Sequence, residues 1–132
     1  MAKLIKAFYA NIDLAEKIVT SKIHISDPDI PIICLPTTAG SGSEATHFAV
    51  VYLNNKKYSF ANQNLLPDKV FIIPKFTYSL SKYQFACSAA DALCQSIESF
   101  WAVNSNSISK EYARQGIEII YKNIIDAVVN ED

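Results

Sequence analysis

The chain has 132 residues, of which 50% are hydrophobic and 19% are charged, and its formal net charge is −1. This length suits one ordinary domain or pieces of two, and the composition is typical of folded globular proteins rather than disordered ones. The near-neutral charge gives no reason to expect nucleic acid or a membrane as a partner. With no apolar run near the roughly 18 residues of a membrane span and no signal peptide, we expect a cytoplasmic location.

The first half of the chain alternates between helix and strand patterns. Apolar residues at helical spacing over 3–19, with a break near Asn11, predict one broken helix or two short ones. Two X-Pro steps predict a loop over 21–31. The apolar runs IPIICL and VFII predict two short strands buried on both faces, and two β-rich runs joined by NNK predict a hairpin between them.

The second half of the chain shows only helical patterns. Apolar and small residues recur at helical spacing over 83–103 and over 107–130, with a short NSNS connection that can cap a helix. The fold class is therefore α/β followed by all-α, with predicted domains at 1–78 and 79–132. Neither half can cover its own apolar surface, so we expect that the chain either oligomerises or is a fragment of a larger fold.

A loop between the first strand and the hairpin is rich in hydroxyl groups. We call this stretch, PTTAGSGSEAT at residues 36–46, the hydroxyl-rich loop. Small residues, free backbone N–H groups and hydroxyls at the end of a strand favour an anion site. The loop matches neither the P-loop motif nor GxGxxG, and a mobile Gly/Ser linker is an equally good interpretation from composition alone.

Three ordered motifs resemble those of the iron-containing (group III) alcohol dehydrogenases. The stretch PTTAGSGSEATHFAVV is similar to that family's PTTAGTGSE-V-T motif, and LLPDKVFIIPKFTYSLSK to its PD-x-A-I-x-DP-x-LT-x-SLP segment. ACSAADALCQSIESFW is similar to its A-x-x-G-x-DAL-x-H-x-x-E segment. A fainter resemblance, around ESFWAVNS, is to the branch that reduces phosphonoacetaldehyde.

The resemblance implies a dehydroquinate synthase-like fold, in which a partial Rossmann-like NAD(P)-binding domain precedes the first helices of a metal-binding domain. It implies a reaction between a nicotinamide cofactor, NAD or NADP, and a small alcohol or aldehyde, with a divalent metal as Lewis acid. Carried over from the family, the residues expected to contact the cofactor are Thr37, Thr38, Ser41, Thr46 and Lys57. A solvated lysine on a strand is an equally good interpretation of Lys57.

The metal site implied by the resemblance is incomplete in this chain. The family places an aspartate and a histidine four residues apart on one helix, and here these positions are Asp91 and Gln95. A glutamine offers only a neutral amide oxygen, a poor substitute for imidazole toward iron or zinc. The family's two further histidines would lie beyond residue 132, and its glycine-rich pyrophosphate loop before residue 1.

Two interpretations of function remain open from the sequence. The first is the central part of a metal-dependent, NAD(P)-linked alcohol dehydrogenase. The second is an inactive remnant or an association module of that family, with a homo-oligomer as one possible form. We assign no catalytic residue from the sequence, because one carboxylate and one amide do not hold a catalytic divalent ion.

Overall fold

A computed structural model describes residues 1–9, 12–21 and 29–129. The chain divides into two compact units: unit 1 comprises Met1–Leu35 and Ser43–Ile72, and unit 2 comprises Pro36–Gly42 and Ile73–Asp132. The domain boundary predicted from the sequence between residues 78 and 79 is a separate matter from this division into units, and it stays a prediction. Among the helices of the described ranges, none has both the length and the apolar character needed to cross a membrane.

Unit 1 combines two short helices with two small sheets. The helices are α1 (Ala2–Phe8) and α2 (Ala15–Ser21), and the strands are β1 (Ile33–Cys34), β2 (Phe48–Leu53), β3 (Lys56–Ala61) and β4 (Lys69–Val70). Strand β1 pairs in parallel with β4, while β2 and β3 form an antiparallel hairpin. The pattern over 3–19 is thus resolved as two short helices. Most of the loop predicted over 21–31 lies outside the described residues.

The hairpin predicted from the sequence is confirmed, and its turn explains why it forms. Asn54 and Asn55 link the strands with φ angles of 49° and 61°. These are left-handed conformations, which asparagine adopts at lower cost than most other residues with a side chain. The resulting register places Leu53 opposite Lys56 and Phe48 opposite Ala61.

The core of unit 1 forms where α1 and α2 contribute apolar side chains beside the hairpin. Its buried members come from the two helices, the hairpin and the short 3₁₀ turn after it: Ala7, Ile18, Val19, Ala49, Phe60 and Leu65. The rings of Phe8 and Phe60 lie 6.3 Å apart at a tilted angle, which joins α1 to β3. Burial of these side chains is the main force that holds the unit together.

The expectation that both apolar strands are buried on two faces is wrong. Ile33 in β1 is 52% exposed, and Phe71 and Ile72, just after β4, are 51% and 74% exposed. The reason is that β1 and β4 are two residues long and, among the described residues, pair only with each other. A two-stranded sheet leaves its outer edges and much of its faces uncovered.

Lys3 is a buried cation that ties α1 to the segment before β2. Only 7% of its surface is exposed, and its ammonium group donates to the carbonyl oxygens of Ser43 at 2.7 Å, Phe48 at 3.1 Å and Thr46. It also donates to the hydroxyl of Thr46 at 3.1 Å. Three N–H groups thus face four acceptors, which is how a buried lysine is satisfied without a carboxylate.

Unit 2 is built on two long helices, α3 (Lys82–Trp101) and α4 (Ser107–Val129). Both helices predicted for this half are therefore confirmed. Ser81 caps α3 by accepting from the Gln84 amide at 3.2 Å. The connection before α4 is closed by reciprocal bonds between Asn106 and Ser109, each 2.9 Å long, in the manner of a capping box.

The segment Pro36–Gly42 packs against α3 with no room for a side chain at Gly40. A Cβ atom added there would lie 2.3 Å from the backbone oxygen of Ser88, and φ at Gly40 is 140°. Only glycine combines this conformation with such a close approach of two backbones. Gly42 also has a positive φ, 60°, but a Cβ atom there would meet open space.

We predict that Lys3→Met destabilises the chain by about 1–3 kcal/mol, because the substitution leaves partly buried carbonyl oxygens without their donor. Lys17→Met is the matched control, since Lys17 lies exposed on α2 and its replacement should change the free energy of unfolding by less than about 0.5 kcal/mol. Urea unfolding followed by circular dichroism measures both. Equal free energies of unfolding for the two variants would mean that the cost of burying the Lys3 ammonium group cancels the stabilisation from its hydrogen bonds.

We also predict that Gly40→Ala costs more than Gly42→Ala. The second change should cost about 1–2 kcal/mol, the penalty of a left-handed conformation with a side chain. The first should cost roughly 3 kcal/mol or more, because its Cβ atom must also displace the backbone of α3. Urea unfolding of the two variants gives the comparison, and equal losses would show that the Gly40 contact with Ser88 is absent in solution.

Candidate functional site

The structure distributes the seven predicted site residues over the two units. Thr37, Thr38 and Ser41 belong to unit 2, together with Asp91 and Gln95 on α3. Thr46 and Lys57 belong to unit 1, where Thr46 precedes β2 and Lys57 lies in β3. Three of the five cofactor candidates therefore share a compact unit with both metal candidates.

The Gly40 contact determines where the first part of the hydroxyl-rich loop meets α3. It falls on the backbone of Ser88, three residues before Asp91. Residues three and four apart in a helix are neighbours on one face, so Ser88, Asp91 and Gln95 follow one another along the same side of α3. The loop is thus anchored within one helical turn of the predicted metal ligand.

Two hydroxyls of the loop are open to a ligand. Thr37 and Thr38 are both exposed, in a bent segment between β1 and Gly42. Ser41 is also exposed and has an interaction of its own within the chain. Exposed hydroxyls on a segment packed closely against a helix can donate to phosphate or carboxamide oxygens.

Thr46 and Lys57 lie in different surroundings. The hydroxyl of Thr46 accepts a hydrogen bond from Lys3 and donates one, of 3.3 Å, to the carbonyl of Ser43. Its side chain thus holds the segment before β2 in shape. Lys57 is exposed on β3, opposite Tyr52 in the hairpin register. Its ammonium group is accessible to a ligand or to solvent alike.

Lys3 is the residue of this region that the sequence interpretation missed. It lies in the first turn of α1, on the buried side of the helix, whereas the sequence prediction for this helix considered its apolar residues. Burial lowers the pKa of the Lys3 ammonium, and the nearby Cys34 and Glu44 side chains oppose that shift. The available sequence signal was the spacing of Lys3 and Lys6, which places both on one face of α1, and the structure shows both to be 7% exposed.

Asp91 and Gln95 are bonded to each other. The amide nitrogen Nε2 of Gln95 donates to Oδ2 of Asp91 at 2.7 Å, and both side chains are exposed on α3. Within the described ranges, no three histidine, cysteine, aspartate or glutamate side chains lie close enough to hold a metal ion. His47 stacks on Phe48 in unit 1, with ring centres 4.5 Å apart. The two predicted metal ligands are thus paired with each other, and their role in metal binding stays a prediction.

Comparison with known proteins adds independent information on ancestry. Residues 1–74 match the family model described as iron-containing alcohol dehydrogenase. An Escherichia coli protein named Probable alcohol dehydrogenase EutG is 32% identical over 131 residues, which are 96% of this chain and 32% of that protein. Phosphonoacetaldehyde reductase of Streptomyces viridochromogenes is 29% identical over 94 residues, covering 70% of this chain and 24% of the reductase. The fainter resemblance stated from the sequence is thereby confirmed.

Solved structures show the same relationship. The sulfoacetaldehyde reductase of Bifidobacterium kashiwanohense, in complex with NAD+, matches with a TM-score of 0.90 and 28% identity. The match covers 96% of this chain and 34% of the reductase, so the chain spans about a third of that protein's length. The predicted fold class, α/β followed by all-α within a larger fold, is confirmed. On the family match, the relatives and the shared fold, the chain belongs to the iron-containing alcohol dehydrogenase family.

Proposed function

We propose that this chain supplies part of the nucleotide-contacting surface of an NAD(P)-linked, cytoplasmic dehydrogenase that interconverts a small alcohol and an aldehyde. The observation that carries this proposal is the hydroxyl-rich loop, whose Thr37 and Thr38 are exposed beside the close approach of Gly40 to Ser88. The nicotinamide cofactor, when bound, accepts or gives the hydride of the reaction. The chain's own residues bind and orient that cofactor.

The nucleotide part of the proposal follows from the chemistry of the loop. Thr37 and Thr38 offer hydroxyl donors, and their segment packs closely on α3 at Gly40. A preorganised donor set loses less entropy on binding than a mobile loop would. Ser41 extends the same segment, while Lys57 on unit 1 remains a candidate for contact with a cofactor ribose.

The proposal includes no metal-dependent step. The family is named for iron, but Asp91 and Gln95 form a donor set that does not fit a divalent cation. The substrate class is a small alcohol or aldehyde. Two relatives are named for anionic aldehydes, but the charged side chain on the α3 face next to the loop contact is the Asp91 carboxylate, which would repel an anion. We therefore propose no preference for an anionic substrate.

We predict saturable binding of NADH or NADPH to the chain, with Thr38→Val weakening it about five- to tenfold through loss of one hydrogen bond. Isothermal titration of both nucleotides measures the affinities and decides between NAD and NADP. Thr20→Val is the matched control, because Thr20 is exposed on α2 and its hydroxyl donates to the carbonyl oxygen of Glu16 in the same helix.

Two results would contradict the nucleotide proposal. One is the absence of saturable binding for both nucleotides at concentrations where the chain is folded by circular dichroism. The other is equal affinity of the Thr38→Val and Thr20→Val variants, which would show that nucleotide binds elsewhere.

A second candidate function, an association module, is favoured by one observation on α4. Ile108, Tyr112 and Ile119 follow one face of this helix and are 67%, 71% and 63% exposed. Large apolar side chains grouped on one exposed face commonly mark a protein–protein contact. In this interpretation the chain associates with a second copy of itself through α4.

This second candidate predicts that the sedimentation coefficient rises with protein concentration. Tyr112→Lys should abolish that rise, because it places a charge at the centre of the apolar row. Tyr83→Lys, at an equally exposed position in the first turn of α3, is the control and should leave the rise unchanged. A constant coefficient at all concentrations would exclude self-association through this face.

A further inference from the structure

The side chains of Asp91 and Gln95 are hydrogen-bonded to each other rather than turned together toward one point. The carboxylate of Asp91, when ionised, is an acceptor only, so the group that Gln95 turns toward it must be the amide N–H. The amide oxygen, which is the only atom of Gln95 that can bind a cation, is then directed away from the carboxylate. The two side chains cannot both face one metal ion in this arrangement.

The chemistry of the pair disfavours rearrangement toward a metal. Turning the amide oxygen inward would break the 2.7 Å hydrogen bond and bring two oxygens with partial or full negative charge together. Coordination by a neutral amide oxygen would offset the lost hydrogen bond only weakly, because iron and zinc prefer imidazole or thiolate to an amide. Asp91 and Gln95 would in any case fill at most two coordination positions of a metal ion, and other residues would have to fill the rest.

We propose that the Gln95 amide takes the place of a cation at Asp91, so that this face of α3 is a metal-independent, hydrogen-bonded version of the family's site. Gln95 is the residue that determines this, and the Asp91 carboxylate remains competent to bind a cation once an imidazole stands four residues after it. The inference concerns cation binding alone, and it holds whether or not the chain binds a nucleotide.

A double-mutant cycle with Ni²⁺ alone tests the proposal. All four proteins carry Cys87→Ser and Cys94→Ser, because these exposed thiols lie on either side of Asp91 and would bind the ion themselves. In the first pair Gln95 is retained, and the two proteins carry either Asp91 or Asp91→Asn. The second pair carries Gln95→His and differs at residue 91 in the same way. Isothermal titration gives each affinity, and circular dichroism confirms that these exposed substitutions preserve the helices.

We expect Asp91→Asn to leave the Ni²⁺ titration unchanged when Gln95 is present. With Gln95→His, we expect Asp91→Asn to weaken binding roughly tenfold, the usual scale for loss of one group from a metal site. Dependence of Ni²⁺ affinity on Asp91 in the presence of Gln95 would overturn the proposal. Absence of that dependence in both pairs would overturn it as well, because Gln95 would then not be the determining residue.

Discussion

The contact between Gly40 and the backbone of Ser88 is the constraint on which the candidate site depends. It brings an otherwise mobile, hydroxyl-bearing segment against a long helix at a defined position. Because the two groups meet backbone to backbone, a side chain at residue 40 would force them apart. The close approach places the hydroxyl-bearing segment one turn from Asp91, a position that its linker-like composition alone did not indicate.

The hydroxyl-rich loop has a second anchor at its other end. Lys3 donates to the carbonyls of Ser43, Thr46 and Phe48, so the residues that follow Gly42 are held by α1 within unit 1. The two anchors differ in kind: steric exclusion acts at Gly40, and charge-assisted hydrogen bonds act at Lys3. Ser41 and Gly42 are the loop residues that lie between these two anchors along the chain.

The sequence predicted the local elements better than their surroundings. The hairpin, α3 and α4 were predictable because Asn54, Asn55 and the caps at Ser81 and Asn106 act over a few residues. The burial of β1 and β4 was not predictable in this way, since an apolar strand is covered only if other strands and helices pack against it. The described residues do not supply such elements.

The site residues show the same division between local and long-range information. The i, i+4 spacing of Asp91 and Gln95 was visible in the sequence, but the direction of the amide was not. The role of Lys3 was missed because its acceptors lie 40 to 45 residues further along the chain. A helical pattern indicates which side of α1 is buried, but it carries no information on which distant backbone groups will meet a lysine there.

Family membership and site chemistry are separate conclusions in this chain. A TM-score of 0.90 at 28% identity shows that the backbone tolerates replacement of most side chains, since packing requires volume and polarity rather than particular residues. A metal site has no such tolerance, because one exchange of imidazole for amide removes a ligand without disturbing the helix that carries it. In our proposal Gln95 alters what α3 can bind on a helix whose fold is retained, and function must therefore be inferred from the site rather than from the fold.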